Sequence, residues 1–113
     1  MEIPAMFDLT GKVALVSGAS RGIGAAIAQI LAEFGAHVIL TSRREENLKE
    51  VETLIKNSGN QASCMVCHNG DLAQIEELFE TIRTTHGRLD ILVNNAATNP
   101  FYGYVLEADE AAW

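Results

Sequence analysis

The stretch Ser17-Gly18-Ala19-Ser20-Arg21-Gly22-Ile23-Gly24 decides the fold of this chain. It separates the apolar residues 13–16 from an amphipathic run over residues 23–34. A glycine-rich turn that ends a strand and opens a helix presents free backbone N–H groups and the positive end of the helix dipole to an anion. Glycines also let a phosphate approach the backbone closely. The stretch therefore predicts a phosphate-binding turn, although its spacing, G-x-x-x-G-x-G, differs from G-x-G-x-x-G.

Apolar and amphipathic segments alternate along the rest of the chain. Strands are predicted over residues 12–17, 37–41, 62–67 and 90–94. Helices are predicted over residues 23–34, between 42 and 60, and between 71 and 87. The order βαβαβαβ implies parallel strands, right-handed crossovers and helices on both faces. We therefore predict an α/β fold with a doubly wound parallel sheet of Rossmann type, strand order 3-2-1-4, and a ligand crevice at the carboxyl ends of strands one and four.

Helical periodicity predicts which side of each helix packs on the sheet. For the first helix it predicts an inward isoleucine stripe, formed by Ile23, Ile27, Ile30, Leu31 and Phe34. For the third helix it predicts an inward face formed by Leu72, Ile75, Leu78, Phe79 and Ile82. Asp71 is predicted to cap the start of that third helix, and Gly87 to close its end.

Composition excludes several classes of partner. Eight basic and fifteen acidic residues give the 113-residue chain a net charge of −7. Nucleic acid is excluded, because phosphate neutralisation needs clustered Lys and Arg. No apolar run approaches the roughly 20 residues that span a bilayer, and the N-terminus lacks the features of a secretory signal. We therefore expect a soluble, cytoplasmic protein with no membrane partner.

The end of the chain falls inside a predicted element. Residues 109–113 have the pattern of a first helical turn, whereas domain boundaries usually lie in exposed linkers. The fourth strand is also apolar on both faces, although the predicted order makes it an edge. We predict that residues 1–113 are the N-terminal portion of a single dinucleotide-binding domain. The alternative is a genuinely short, non-catalytic nucleotide-binding or assembly protein.

Two motifs together carry a family resemblance. Gly18-x-x-x-Gly22-x-Gly24 after the first strand, with Asn94-Asn95-Ala96-Ala97 after the fourth, resembles the short-chain dehydrogenase/reductase family over essentially the whole chain. Residues 95–101, with Cys67-His68 upstream, look like the carbonyl/retinal reductase branch. The resemblance implies a single doubly wound domain of about twice this length, assembled as a homotetramer. It also implies an oxidoreductase that interconverts a small-molecule alcohol and a carbonyl by hydride transfer with a nicotinamide cofactor.

The resemblance also assigns roles to residues. Those of the first motif would hold the pyrophosphate and the adenosine phosphate: Gly18, Ser20, Arg21, Gly22, Ile23 and Gly24. Those of the second motif would contact the adenosine ribose and the neighbouring backbone: Asn95, Ala96 and Ala97. The family's catalytic Ser and Tyr-x-x-x-Lys are absent, because Tyr102 and Tyr104 are followed four residues later by Leu106 and Ala108. We expect no catalytic residue within the chain.

The end of the second strand indicates which nicotinamide cofactor is bound. NAD sites place an acid there to accept hydrogen bonds from the ribose 2′-hydroxyl. Here that position is Ser42, followed by Arg43 and Arg44, with Arg21 in the glycine turn on the same side. Guanidinium groups attract a 2′-phosphate and bind it through two hydrogen bonds. The pattern predicts NADP(H) in preference to NAD(H).

The end of the third strand departs from the family pattern. The acid that hydrogen-bonds the adenine amino group in many members is replaced by His68. His68 and Asn69 therefore remain candidates for contact with the adenine. Asp71, three residues later, is interpreted as a helix cap.

A cysteine pair and two histidines are further candidates for a haem, metal or nucleotide site. Cys64-Met65-Val66-Cys67-His68 matches the c-type haem motif C-x-x-C-H. Strand residues three apart point to opposite faces, so we interpret both cysteines as reduced packing residues and expect no metal. His37 begins the second strand and is a candidate neighbour of the adenosine, and His86 ends a helix, where its cationic form suits the dipole.

Overall fold

The fold was established from a computed structural model that describes residues 7–19, 22–43, 45–68 and 71–95. Strands and helices alternate throughout this part of the chain. In order they are β1 (Val13–Ser17), α1 (Gly22–Glu33), β2 (His37–Ser42), α2 (Glu45–Asn57), β3 (Ala62–Val66), α3 (Leu72–His86) and β4 (Ile91–Asn94). Within the described ranges, no helix combines the length and the apolarity that a bilayer crossing requires.

The four described strands form one parallel sheet in the order β3-β2-β1-β4. β1 pairs with β2 on one side and with β4 on the other, so Leu15 lies level with Ile39 and with Leu92. Every residue of β1 is buried, because neighbouring strands and helices enclose it completely. This arrangement confirms the predicted α/β fold class, the Rossmann-type sheet and the strand order.

Helices cover both faces of the sheet and enclose two hydrophobic clusters. On one face, α1 and α2 pack over Ala14 and Val16 of β1. On the other face, α3 packs over Val13 and Leu15. Its inward face is the predicted one: Ile75, Leu78, Phe79 and Ile82 are buried and Leu72 packs against their cluster. The two crossovers before β3 therefore lie on one side, and the crossover to β4 lies on the other.

The inward face of α1 differs from the prediction. Its buried residues are small: Gly24, Ala25, Ala28 and Ala32. Within the isoleucine stripe, Ile23 is 71% exposed and Ile30 is 50% exposed. The prediction was wrong for these two residues because α1 packs close against the sheet, and only small side chains fit between them. Periodicity of apolar residues does not report how near a helix comes to its sheet.

The predicted ends of α3 are both confirmed. The Asp71 side chain accepts the backbone N–H of Gln74 at 3.2 Å, which caps the first turn. Gly87 adopts the left-handed conformation, with φ of 73°, and donates its N–H to the Arg83 carbonyl. These two caps fix where α3 begins, close to the end of β3, and where it returns toward β4.

At the far edge of the described sheet, β4 pairs with β1 alone. Its apolar residues Ile91, Leu92 and Val93 are half-buried. The assignment of residues 1–113 to the N-terminal portion of one larger domain stays a prediction. The predicted helical turn at 109–113 lies outside the described residues, as do Tyr102 and Tyr104.

Candidate functional site

Three strands end at the same edge of the sheet and define the candidate site. β1 ends at Ser17, β2 ends at Ser42 and β4 ends at Asn94, with Ser17 level with both Thr41 and Asn94. The helix that follows β1 lies on one face of the sheet, whereas the helix that precedes β4 lies on the other. Parallel sheets of this type bind ligands in a crevice outside the carboxyl ends of their strands, at the point where the connections change from one face to the other.

Ser17 joins the two motifs at the bottom of this crevice. Its side chain is completely buried. Its hydroxyl donates to Asn94 Oδ1 at 2.9 Å and accepts the backbone N–H of Asn95 at 3.1 Å. No role in the site was predicted for Ser17 from the sequence. The signal that was available is a polar residue at the end of an otherwise apolar strand, directly before the first glycine.

Gly24 is required by close packing of the backbone. A Cβ placed on Gly24 would lie 2.2 Å from the Gly18 carbonyl oxygen and 2.9 Å from Asn95 Nδ2. The same Asn95 nitrogen lies 3.4 Å from the Gly18 carbonyl oxygen, within hydrogen-bonding distance. The glycine turn, the first turn of α1 and the residue after β4 therefore meet at one point. This contact brings the two predicted motifs together in space.

The start of α1 is open and suited to an anion. Gly22 has a φ of +63°, and a Cβ built on it would meet no heavy atom within 4 Å. The first turn of the helix carries no acidic residue. The backbone N–H groups of a first helical turn have no partner within the helix, so these groups and the helix dipole favour a negatively charged ligand at this end. Ile23 lies exposed beside this turn, and the predicted site residues Ser20 and Arg21 lie outside the described residues.

The end of β2 carries an exposed cation. Ser42 is the last residue of the strand and is half-buried, and Arg43 directly after it is exposed. Within the described ranges, no carboxylate forms a salt bridge with Arg43. Arg44 precedes α2, and its side chain lies outside the described residues. The guanidinium group of Arg43 is thus available to an anionic ligand.

The end of β3 presents His68 and not an acid. His68 is exposed, and its backbone N–H donates to Gln74 Oε1 at 3.0 Å. Both oxygens of Asp71 are engaged with Gln74, at 3.2 Å to its backbone nitrogen and 3.1 Å to its side-chain nitrogen. The interpretation of Asp71 as a cap is therefore confirmed. Asn69, Ala96 and Ala97, also predicted as site residues, lie outside the described residues.

The two cysteines do not form a site together. Cys64 packs against the cluster under α1 and α2, whereas Cys67 is buried in the cluster under α3. Both cysteines are reduced, and burial raises the pKa of Cys64. The prediction that they point to opposite faces is confirmed. In the described part of the chain, no group of three or more His, Cys, Asp or Glu side chains is placed to hold a metal ion.

His37 lies at the opposite edge of the sheet from the crevice, because it is the first residue of β2. Its suggested position beside the adenosine was therefore wrong, since parallel strands place their amino ends together, away from the site. Its ring packs against the ring of His86 instead. Burial and the charge of His86 lower the pKa of His37.

The fold places this chain in the doubly wound α/β class, with its candidate site at the carboxyl ends of the strands. A sequence profile described as short chain dehydrogenase matches residues 12–113. The chain belongs to the short-chain dehydrogenase/reductase family.

Relatives of known sequence and structure agree with this membership. The chain is 42% identical over 105 residues to "Dehydrogenase/reductase SDR family member 4" of Homo sapiens, covering 93% of this chain and 38% of the relative. A metagenomic short-chain oxidoreductase solved in complex with NADP is 46% identical, with a TM-score of 0.78 over 80% of this chain and 41% of that one. The RhlG/NADP complex of Pseudomonas aeruginosa is 38% identical, with a TM-score of 0.74 over 87% and 39%. The chain thus spans about two fifths of the length of these relatives.

Proposed function

We propose that this chain is the cofactor-binding part of an NADP(H)-dependent oxidoreductase that interconverts an alcohol and a carbonyl. The observation that carries this proposal is the contact among Gly18, Gly24 and Asn95, which joins the phosphate-binding turn to the end of β4. Membership of the short-chain dehydrogenase/reductase family supports it. The bound cofactor would supply the hydride that is transferred.

The described residues fit a dinucleotide in three respects. The first turn of α1 carries backbone N–H groups that the helix does not use and no acidic residue, and a Cβ on Gly22 would meet no heavy atom within 4 Å. Asn95 stands at the β1–β4 boundary, where its side chain reaches the Gly18 carbonyl. Ser42 and Arg43 lie at the end of β2, and His68 lies just after the end of β3. In this proposal the turn holds the pyrophosphate, Asn95 the adenosine ribose, and His68 or Asn69 the adenine.

The choice of NADP(H) over NAD(H) depends on Arg43. An acid after β2 would repel a 2′-phosphate, whereas Ser42 is neutral and Arg43 is an exposed cation with no salt bridge among the described residues. Arg21 and Arg44 complete the proposed basic cluster. The relative crystallised with NADP lends support.

The proton that accompanies hydride transfer needs a donor beside the substrate carbonyl. This sequence has no Tyr-x-x-x-Lys pair to supply it. The proposed task of these residues is therefore to bind and orient the cofactor for a small-molecule alcohol or carbonyl. Assembly as a homo-oligomer, a tetramer by analogy with the family, and a cytoplasmic location stay predictions.

Cofactor titrations test this proposal. NADPH and NADH are titrated separately into the full chain, and binding is followed by the fluorescence of the reduced nicotinamide. We expect tighter binding of NADPH. The variant Arg43→Asp should weaken NADPH binding by about tenfold or more, because it replaces a cation with a charge that repels the 2′-phosphate, and should change NADH binding much less.

Arg83→Asp is the matched control, because it makes the same charge change on α3, where Arg83 pairs with Glu80 on the helix surface. It should leave both affinities unchanged. Equal weakening of NADPH and NADH by Arg43→Asp would refute the cofactor choice. No binding of either nucleotide by the folded chain would refute the proposed function itself.

A further inference from the structure

Two histidines from distant parts of the sequence meet at the amino ends of the strands. His37 is the first residue of β2 and His86 is the last residue of α3. Their ring centroids are 4.5 Å apart, and the ring planes are inclined at 61°. Both side chains are half-buried. The proposed cofactor crevice lies at the opposite ends of these strands and makes no use of either ring.

A cavity adjoins this pair, and two of its lining residues, Ser63 and Met65, carry atoms that can coordinate a metal ion. His37 Nε2 lies 2.9 Å from the hydroxyl oxygen of Ser63 on β3. Ser63 and His86 both line a cavity of about 230 Å³ under α3, to which Met65 contributes its side chain. The remaining lining residues are Ile39, Thr81, Ile82 and Thr85. The described residues that line this cavity therefore offer one imidazole, three hydroxyl groups and a thioether but no carboxylate, and the His37 imidazole lies next to them against Ser63.

We propose that His37 and His86 together bind one divalent late transition-metal ion, Zn²⁺ or Cu²⁺, beside Ser63. When an imidazole nitrogen binds a metal ion at about 2.0–2.1 Å, the centroid of its ring lies roughly 3.2 Å from the ion. Two such rings with a nitrogen–metal–nitrogen angle of about 90–110° then have centroids about 4.5–5.2 Å apart. The observed separation of 4.5 Å falls within this range. Solvent or the Ser63 hydroxyl completes the coordination.

The electrostatic surroundings favour a cation of this type. His86 ends α3, where the partial negative charge of the helix C-terminus points toward the pair. The positive charge of Lys56 contributes to lowering the pKa of His37. Because Lys56 is paired with Glu52 at 3.6 Å, its repulsion of a bound metal ion is reduced. Imidazole suits copper and zinc, whereas Mg²⁺ and Ca²⁺ require oxygen ligands. The site therefore selects for late transition metals.

Electron paramagnetic resonance of Cu²⁺ added to the full chain tests this proposal. We expect one bound ion with the hyperfine signature of two imidazole nitrogens. His37→Gln and His86→Gln should each lower the affinity by about tenfold or more, because each removes one of the two ligands. Circular dichroism checks that both variants retain their helices, and His86→Gln, at the end of α3, is the milder change.

Two controls separate this site from adventitious binding. His68→Gln removes an exposed histidine at the other edge of the sheet and should leave the Cu²⁺ affinity unchanged. Concentrated urea should abolish the two-nitrogen signature, because only the fold brings His37 and His86 together. Wild-type affinity in His86→Gln, an equal loss in His68→Gln, or an unchanged signal in urea would each overturn the proposal. Zn²⁺ should raise the unfolding temperature of the wild type but not of the two pair variants.

Discussion

The buried hydroxyl oxygen of Ser17 accepts the backbone N–H of Asn95 at 3.1 Å. The same hydroxyl donates to Asn94 Oδ1 at 2.9 Å, so a single side chain ties the end of β1 to the end of β4. The glycine turn begins at the next residue, Gly18. Ser17 therefore helps to fix the position of the turn relative to Asn95, together with the contact between Asn95 Nδ2 and the Gly18 carbonyl.

Replacing this serine should weaken both the fold and the site. Ser17→Ala leaves the Asn94 oxygen and the Asn95 N–H without their partner, so we expect the free energy of unfolding to fall by about 1–3 kcal/mol. Urea unfolding followed by circular dichroism measures this change. Ser58→Ala is the matched control, because Ser58 is exposed and its hydroxyl donates to the Leu54 carbonyl within the same turn of chain. Equal losses in the two variants would contradict the role given to Ser17.

The two glycines of the turn should respond differently to substitution. At Gly24 a Cβ would overlap the Gly18 carbonyl, so Gly24→Ala and Gly24→Asn should both destabilise the fold and weaken nucleotide binding. At Gly22 the space is open and only the positive φ is demanding. Asn tolerates that conformation better than Ala, so Gly22→Asn should be more stable than Gly22→Ala. Urea unfolding of the four variants provides the measurement, and equal stability of the two Gly22 variants would contradict this assignment.

Substitution of Asp71 separates a cap from an adenine ligand. Asp71→Ala removes the acceptor for the Gln74 N–H, so we expect a loss of about 1 kcal/mol of stability. Asp71→Asn retains a capping oxygen and should lose much less. Nucleotide affinity should be unchanged in the folded Asp71→Asn variant, because both oxygens of Asp71 accept hydrogen bonds from Gln74. A selective loss of affinity in that variant would show that Asp71 contacts the cofactor after all.

The free energy of unfolding should depend on pH through Asp90, which directly precedes β4. Its carboxylate accepts two hydrogen bonds from Arg88, at 2.8 and 2.7 Å, and one from the Val13 N–H at 2.8 Å. The Arg88 contact and the Val13 N–H hold the pKa of Asp90 below its ordinary value. The folded state therefore binds a proton less readily than the unfolded state does. The resulting stabilisation is complete above the unfolded pKa of about 3.9 and is lost as the pH falls through the lower folded value.

Stability measured as a function of pH tests this linkage. Asp90→Asn should lower the free energy of unfolding at neutral pH by on the order of 1 kcal/mol, because the charged hydrogen bonds are lost. The difference between the wild type and the variant should shrink as the pH is lowered below about 4. Two stability curves that stay parallel down to pH 2 would rule out this contribution.

The order of elements could be predicted because local patterns are sufficient for it. Val13 to Val16 form an uninterrupted apolar run, which is typical of a strand covered on both faces, and glycines mark the turn that follows. When such strands alternate with helices, few sheet topologies are possible, because the crossovers between parallel strands are right-handed. Asp71 and Gly87 were likewise identifiable as caps, because their roles depend only on neighbours within one helical turn.

Distances between elements could not be predicted in this way. The sequence shows the isoleucine stripe of α1 but not that the helix lies too close to the sheet to bury Ile23 and Ile30. The overlap between a Gly24 Cβ and Asn95 likewise depends on how α1 sits against β4. Neither contact leaves a periodic signal, because each depends on the separation of two backbones.

The sequence by itself determined the class of fold, the strand order and the position of the glycine turn, because apolar periodicity and glycine placement act over a few neighbouring residues. Only the tertiary structure decided which side of α1 is buried, how Ser17 and Gly24 hold Asn95, and that His37 meets His86 far from the crevice. These relationships join residues that are distant in sequence. They arise from close packing of whole elements, which a local pattern does not encode.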